Sequence, residues 1–273
     1  MKSQSGTARL DTTFAALRKQ NRKALIIYLM AGDPDPEFTT QIVPRLFEVG
    51  ADVVELGFPF SDPVADGPVI QAAGQRALAH LSDVPKFLEM CRKIRAQCAG
   101  PLVCMTYYNP IFRYGEEKFF DDGLEAGLDG LIVPDLPLVE AGPWRNAAMK
   151  AGMAPIFLEA PNSNDDDAKA IAEASRGFIY LVSLKGVTGS EQGMGENLKD
   201  RIDRFRRHTK TPLAVGFGIS TPEQAAQIGS LADGIIVGSG VISRIAAGRN
   251  QKEAQQAALD YVAEMRAGLD QAQ

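Results

Sequence analysis

The stretch PEFTTQIVPRLFEVGADVVELGF (36–58) holds a helix, a turn and a strand in succession. Residues 36–50 alternate polar and apolar side chains at helical spacing, and Gly50 tolerates the positive φ that ends a helix. DVVELGF (52–58) is rich in β-branched residues and almost continuously apolar, as expected of a parallel strand covered on both faces. The same unit recurs along the chain. Strand-like runs are LIIYLM (25–30), DVVELGF (52–58), LVCMTYY (102–108), GLIVP (130–134), APIFLEA (154–160), FIYLVSL (178–184), PLAVGFG (212–218) and DGIIVGS (233–239). Helix-like segments such as EKFFDDGLEAG (117–127) and PEQAAQIGSLA (222–232) lie between them, and VGAD, AGLDG, AGMAP and SLADG mark the turns into strands. Eight βα units with no break in composition predict one domain over 1–273, an α/β chain closed as a (β/α)8 TIM barrel. An open doubly wound sheet would place a glycine-rich dinucleotide loop after its first strand, where this chain has MAGDPDPEF. TARLDTTFAALRKQNR (7–22) reads as an extra N-terminal helix capping the barrel floor, and QKEAQQAALDYVAEMRAGLDQAQ (251–273) as a terminal helix.

Composition narrows the chemistry. The net charge of −5 and the lack of a long basic block argue against nucleic acid as a partner. No apolar leader opens the chain and no run approaches the ~18 apolar residues of a membrane span. Cys91, Cys98 and Cys104 fit neither a disulfide framework nor a zinc motif, which points to a reducing cytoplasm. His80 and His208 both fall in or beside helices, so neither a catalytic metal nor a Ser/His/Asp site is expected.

In a barrel of this type the chemistry gathers at the C-terminal ends of the strands. Glu55 is the first candidate there. It shares a face with Val53 and Gly57, opposite Val54 and Leu56, so its carboxyl enters the barrel mouth or is a buried structural charge. Desolvation at such a place raises a carboxyl pKa and suits it to acid–base work near neutrality. The loop FPFSDPVADGP (58–68) offers Asp62 and Asp66, stiffened by prolines; spacing alone does not separate the two acids. Glycine-rich turns follow the last three strands: KGVTGSEQGMG (185–195), GFGIS (216–220) and VGSGVIS (237–243). Together they predict a phosphate site made of backbone N–H groups, to which Ser239 adds a hydroxyl; the alternative is that they are structural turns. Tyr28, Tyr107, Tyr108 and Tyr180 lie near strand ends, where they line a substrate or pack the core.

ELGFPFSDPVADGPVIQ (55–71) closely resembles the signature of the tryptophan synthase α-chain family. YLMAGDPD (28–35), MTYYNPIFRYG (105–115), GLIVPDLP (130–137), YLVSLKGVTG (180–189), GFGIS and VGSGVIS find counterparts in order, so the resemblance spans nearly the whole chain. It implies a lyase that cleaves indole-3-glycerol phosphate to indole and glyceraldehyde 3-phosphate by a retro-aldol reaction. It further implies that Glu55 and Asp66 are the catalytic pair, which ranks Asp66 above Asp62. By the same resemblance Tyr28, Tyr107 and Tyr180 are substrate residues, and Thr188, Gly189, Gly218, Gly238 and Ser239 belong to the phosphate site. No cofactor is implied in this chain; pyridoxal phosphate is expected only in a partner β chain, within an α2β2 complex. FPFSDPVADGP and YYNPIFRYG would face that partner, where Phe58, Phe60, Ile111 and Phe112 fit either an interface or internal packing. One departure stands out: before GVTG the family often has Arg or Thr, and this chain has Leu184 and Lys185. Rival readings are a stand-alone indole-3-glycerol phosphate lyase, a Schiff-base aldolase using Lys185, and a non-catalytic barrel that binds a phosphorylated ligand.

Overall fold

The computed structural model describes residues 5–183, 194–216 and 218–272, leaving aside the side chains of 194–197. Its strands are β1 (Ala24–Met30), β2 (Val53–Gly57), β3 (Leu102–Met105), β4 (Gly130–Ile132), β5 (Ala154–Ile156), β6 (Leu158–Glu159), β7 (Ile179–Val182), β8 (Leu213–Gly216) and β9 (Gly234–Val237). All pair in parallel in the order β5-β4-β3-β2-β1-β9-β8-β7-β6. The two outer members, β5 and β6, are consecutive halves of the predicted strand APIFLEA, parted at Phe157. The first half bonds to β4 and the second to β7, and the Tyr180 N–H donates to the Phe157 carbonyl at 3.1 Å. The sheet therefore closes on itself, and the predicted eight barrel strands are all present. Their ends are shorter than the apolar runs suggest. LVCMTYY leaves the sheet after Met105 because its last tyrosine opens the helix Tyr108–Tyr114.

Alternation sorts the strand residues into two cores. Ile26, Val53, Val103, Ile132, Ile156, Phe178, Ala214 and Ile236 fill the barrel interior. Leu25, Ile27, Val54, Leu56, Leu213 and Val215 face outward against the helices. Both faces are buried, which explains the near-continuous apolar runs.

The N-terminal helix Gly6–Lys19 starts on Ser5, whose Oγ accepts from the Ala8 N–H at 3.3 Å. Leu10, Phe14 and Leu17 join the interior core, with Phe14 and Phe178 ring centroids 5.9 Å apart. Arg9 pairs with Asp129, and the Thr7 N–H donates to the Gly152 carbonyl at 3.1 Å, both just ahead of strand starts. The helix thus closes the floor of the barrel, as expected. The terminal helix Gln251–Leu269 packs on helices Pro36–Glu48, Pro222–Gly229 and Ser239–Ala247. No helix among the described residues is long and apolar enough to cross a membrane.

Candidate active site

β2 carries Glu55 to the barrel mouth on the inward face, where it lies beside Tyr28 in the β1–β2 register. Its side chain is 1% exposed, and neither Oε1 nor Oε2 has a hydrogen-bond partner among the described residues. Loss of water, then the nearby Asp66 charge, push its pKa up to about 8. A carboxyl in this state holds its proton at pH 7.

Asp66 comes from the loop joining β2 to the helix Pro68–Leu78. It is half-buried, and burial pushes its pKa up to about 6 against the opposing effect of a hydrogen bond from the Tyr107 hydroxyl. The Tyr107 Oη also accepts from the Ala65 N–H at 2.9 Å, and its ring lies against Phe60 with centroids 5.2 Å apart. Tyr107 therefore holds the loop by its backbone and by its acid. Asp62, the other acid of the loop, is exposed and bonded to Ser61.

Tyr28 and Tyr180 are each 6% exposed and enter the mouth from β1 and β7. Room for their rings comes from two strand-end glycines. A Cβ at Gly57 would collide with the Tyr28 hydroxyl, and one at Gly216 with the Tyr180 hydroxyl. The cleft above is walled by Phe58, Phe60, Ile70, Met105 and Tyr107, with Asp66 as its acid. The cleft thus sets one carboxyl among aromatic and aliphatic side chains.

The phosphate candidates divide. Gly238 stands at the N-cap of the helix Ser239–Ala247 with no side chain capping it, and Ser239 is the exposed first residue. Backbone N–H groups at such a helix start favour an anion. Gly218 is exposed with φ +81°, a conformation that side chains rarely adopt, so a glycine is needed there for its backbone. Thr188 and Gly189, with Leu184 and Lys185, lie outside the described residues.

Of the other candidates, Phe58 (4% exposed) and Ile111 (0%) pack internally, whereas Phe112 is 65% exposed. Tyr108 does not line the cleft, and its hydroxyl donates to Glu116. His208 ends a helix and its Nε2 lies 3.1 Å from Asp165, far from this chemistry. No group of three or more His, Cys, Asp or Glu residues among those described could hold a metal ion. Met105 and Ile70 were not singled out from sequence. Alternation with Val103 could have found Met105, and Ile70 lies one helical turn before Gly74, which also lines the cleft.

Comparison with known proteins agrees with this geometry. Residues 14–270 match the family model described as Tryptophan synthase alpha chain. A tryptophan synthase alpha chain from Geobacter sulfurreducens is 46% identical over 235 residues, covering 86% of this chain and 89% of the relative. One from Methylococcus capsulatus is 45% identical over 265 residues, covering 96% and 99%. Among solved structures, tryptophan synthase subunit alpha from Legionella pneumophila superposes with a TM-score of 0.88 at 38% identity, covering 98% of this chain and 99% of that one. A chain of tryptophan synthase from M. tuberculosis, in its aminoacrylate-bound form, gives 0.85 at 36% identity, covering 96% and 99%. Barrel, mouth chemistry and relatives converge, and the chain belongs to the tryptophan synthase α-chain family, the lyases that cleave indole-3-glycerol phosphate.

Proposed function

We propose that Glu55 and Asp66 divide the cleavage of indole-3-glycerol phosphate between proton transfer and charge stabilisation. The observation that carries this reading is the pair of environments: a fully buried carboxyl, with no partner among the described residues and its pKa pushed up to about 8, beside a half-buried carboxyl raised to about 6. Two carboxyls driven apart in this way can act as acid and anion at one pH. Indole leaves only after its C3 is protonated, and Glu55 holds the proton for that step. As the carbon–carbon bond breaks, the adjacent glycerol hydroxyl becomes the aldehyde and gives up its proton, which the Glu55 carboxylate takes back. The bond electrons return to the ring and restore indole. Asp66 accepts a hydrogen bond from the indole N–H and stabilises the positive charge that forms on the protonated ring.

Tyr28, Tyr107 and Tyr180 act as walls of the substrate pocket in this proposal. The N-terminus of helix Ser239–Ala247, with Gly218, Gly238 and Ser239, takes the phosphate. Thr188 and Gly189 are assigned to the same phosphate by family motif alone. The α chains of this family use no cofactor; pyridoxal phosphate resides in the β chain. The test is indole release from indole-3-glycerol phosphate by wild type, Glu55→Gln and Asp66→Asn. Turnover near wild type in Glu55→Gln would refute the acid–base role. Borohydride trapping of a substrate adduct on Lys185 would favour the Schiff-base rival.

The partner we propose is a tryptophan synthase β chain in an α2β2 complex. Val64 (84% exposed) and Val139 (92%) stand in the loops after β2 and β4, and Phe112 (65%) in the short helix after β3, the strand between them in the sheet. Exposed apolar residues on adjacent loops at one end of a barrel suit a protein interface. Indole release measured with and without a β chain checks this, since a stand-alone lyase would show no stimulation. Two further points belong to the proposal. Neither terminal helix packs apart from the barrel, which supports a single domain. The free cysteines Cys91, Cys98 and Cys104 suit the cytoplasm.

A further inference from the structure

Asp66 sits on a short loop, so its place depends on the helix that follows. Its own N–H donates to the Pro63 carbonyl at 3.1 Å. Its carbonyl accepts from the Gln71 Nε2 at 2.9 Å, and Gln71 belongs to the first turn of helix Pro68–Leu78. That helix rests on small residues. Ala73 and Ala77 are fully buried against Tyr28 and Met30 of β1 and Ile242 of helix Ser239–Ala247. The small residues allow close approach, and Ile70, one turn earlier, packs on the same cluster. A polar constraint on register comes from Arg76, on the last turn. Its Nε and Nη2 donate to Oδ1 and Oδ2 of Asp33 at 2.7 and 2.8 Å. Asp33 is 4% exposed and belongs to the loop after β1.

We propose that Arg76, through its two-point grip on Asp33, is a positioning residue that sets the register of helix Pro68–Leu78 and thereby the place of Asp66. The inference rests on Asp66 being the indole-facing acid. The forked guanidinium fixes both distance and rotation, which a lysine ammonium does not. The Arg76 side chain is 41% exposed and that of Asp33 only 2%, so a substitution that keeps the positive charge, such as lysine, tests the geometry without leaving the buried acid unpaired.

The test uses the full chain with a β chain and indole-3-glycerol phosphate as substrate. Arg76→Lys is expected to lower kcat about tenfold with KM changed less than about threefold, the pattern of a transition-state contact displaced rather than of lost binding. Its thermal midpoint should stay within a few degrees of wild type. Gln71→Ala, which frees the Asp66 carbonyl from the same helix, should lower kcat by about threefold. Because both act through one placement, the double variant should lose less than the product of the two factors. Unchanged kcat in Arg76→Lys, or losses that multiply in full, would overturn the proposal. Full turnover in Asp66→Asn would instead remove the reading of Asp66 itself, a result distinct from a silent Arg76→Lys in an enzyme that needs Asp66.

Discussion

Of the buried carboxylates, Asp129 and Glu55 occupy opposite ends of this barrel. At the floor, Asp129 is 0% exposed and bound by Arg9, by Arg95 at 2.8 Å and by the Leu102 N–H at 2.8 Å. At the mouth, Glu55 is 1% exposed and bound by nothing among the described residues. Burial raises both pKa values. At Asp129 the Arg95 and Arg9 charges and the Leu102 N–H pull the other way, whereas at Glu55 the neighbouring Asp66 adds to the rise. The same chemical group is thus a staple at one end and, under the proposed function, the proton carrier at the other. Its partners make the difference, since depth in the fold is equal.

The largest expected effect breaks the mouth. Glu55→Gln should lower kcat by about 10³-fold, measured as indole release, because the amide cannot deliver the proton that the proposed step requires. The same change should stabilise the fold. A carboxyl whose folded pKa lies above its unfolded value is destabilising above the unfolded pKa, and increasingly so up to the folded one. Denaturant titration at pH 8 should therefore show Glu55→Gln more stable by about 2 kcal/mol, after allowance for the unmet bonds of the amide.

Asp129→Asn should do the reverse, costing about 3–5 kcal/mol of stability by leaving Arg9 and Arg95 without their anion. Its turnover, measured below the melting range, should stay near wild type. An Asp129 variant that folds normally but fails in catalysis would undo the contrast between the two ends. Asp66→Asn should lower kcat by about 10²-fold, the usual loss when one electrostatic stabiliser is removed.

The smallest effect sharpens the contrast within the mouth. The kcat/KM profile should be bell-shaped, falling below about pH 6 as Asp66 gains a proton and above about pH 8 as Glu55 loses one. These are properties of the interacting pair rather than of either group alone. Tyr107→Phe removes a hydrogen bond that favours the Asp66 anion, so the acid limb should move to higher pH by up to about one unit. An unmoved limb would show that Tyr107 only walls the cleft.

Much of the architecture could be read locally. Alternation in DVVELGF put Glu55 on the inward face, and Val53 in the interior core with Val54 and Leu56 outside bears this out. The glycine turns after the last strands anticipated the bare helix start at Gly238. What stayed hidden depends on contacts between distant parts of the chain. Arg9 and Asp129 are 120 residues apart, and Arg76 and Asp33 are 43 apart. No local pattern links either pair. The room made by Gly57 for Tyr28, and by Gly216 for Tyr180, follows from strand register and is invisible in composition. Strand five reads as one apolar run because each half is buried, although its bonding partners change at Phe157.

That change of partners has a consequence for association. A sheet whose two margins belong to a single strand offers no row of free N–H and C=O groups for a foreign strand to extend. A newcomer must dock through side chains and loops, and the most exposed large apolar side chains among the described residues are Val64, Phe112 and Val139, which follow β2, β3 and β4. Closure of the ladder thus leaves recognition to loops and helices, and under the proposed function a neighbour seated on those three residues would lie at the end that carries the reaction.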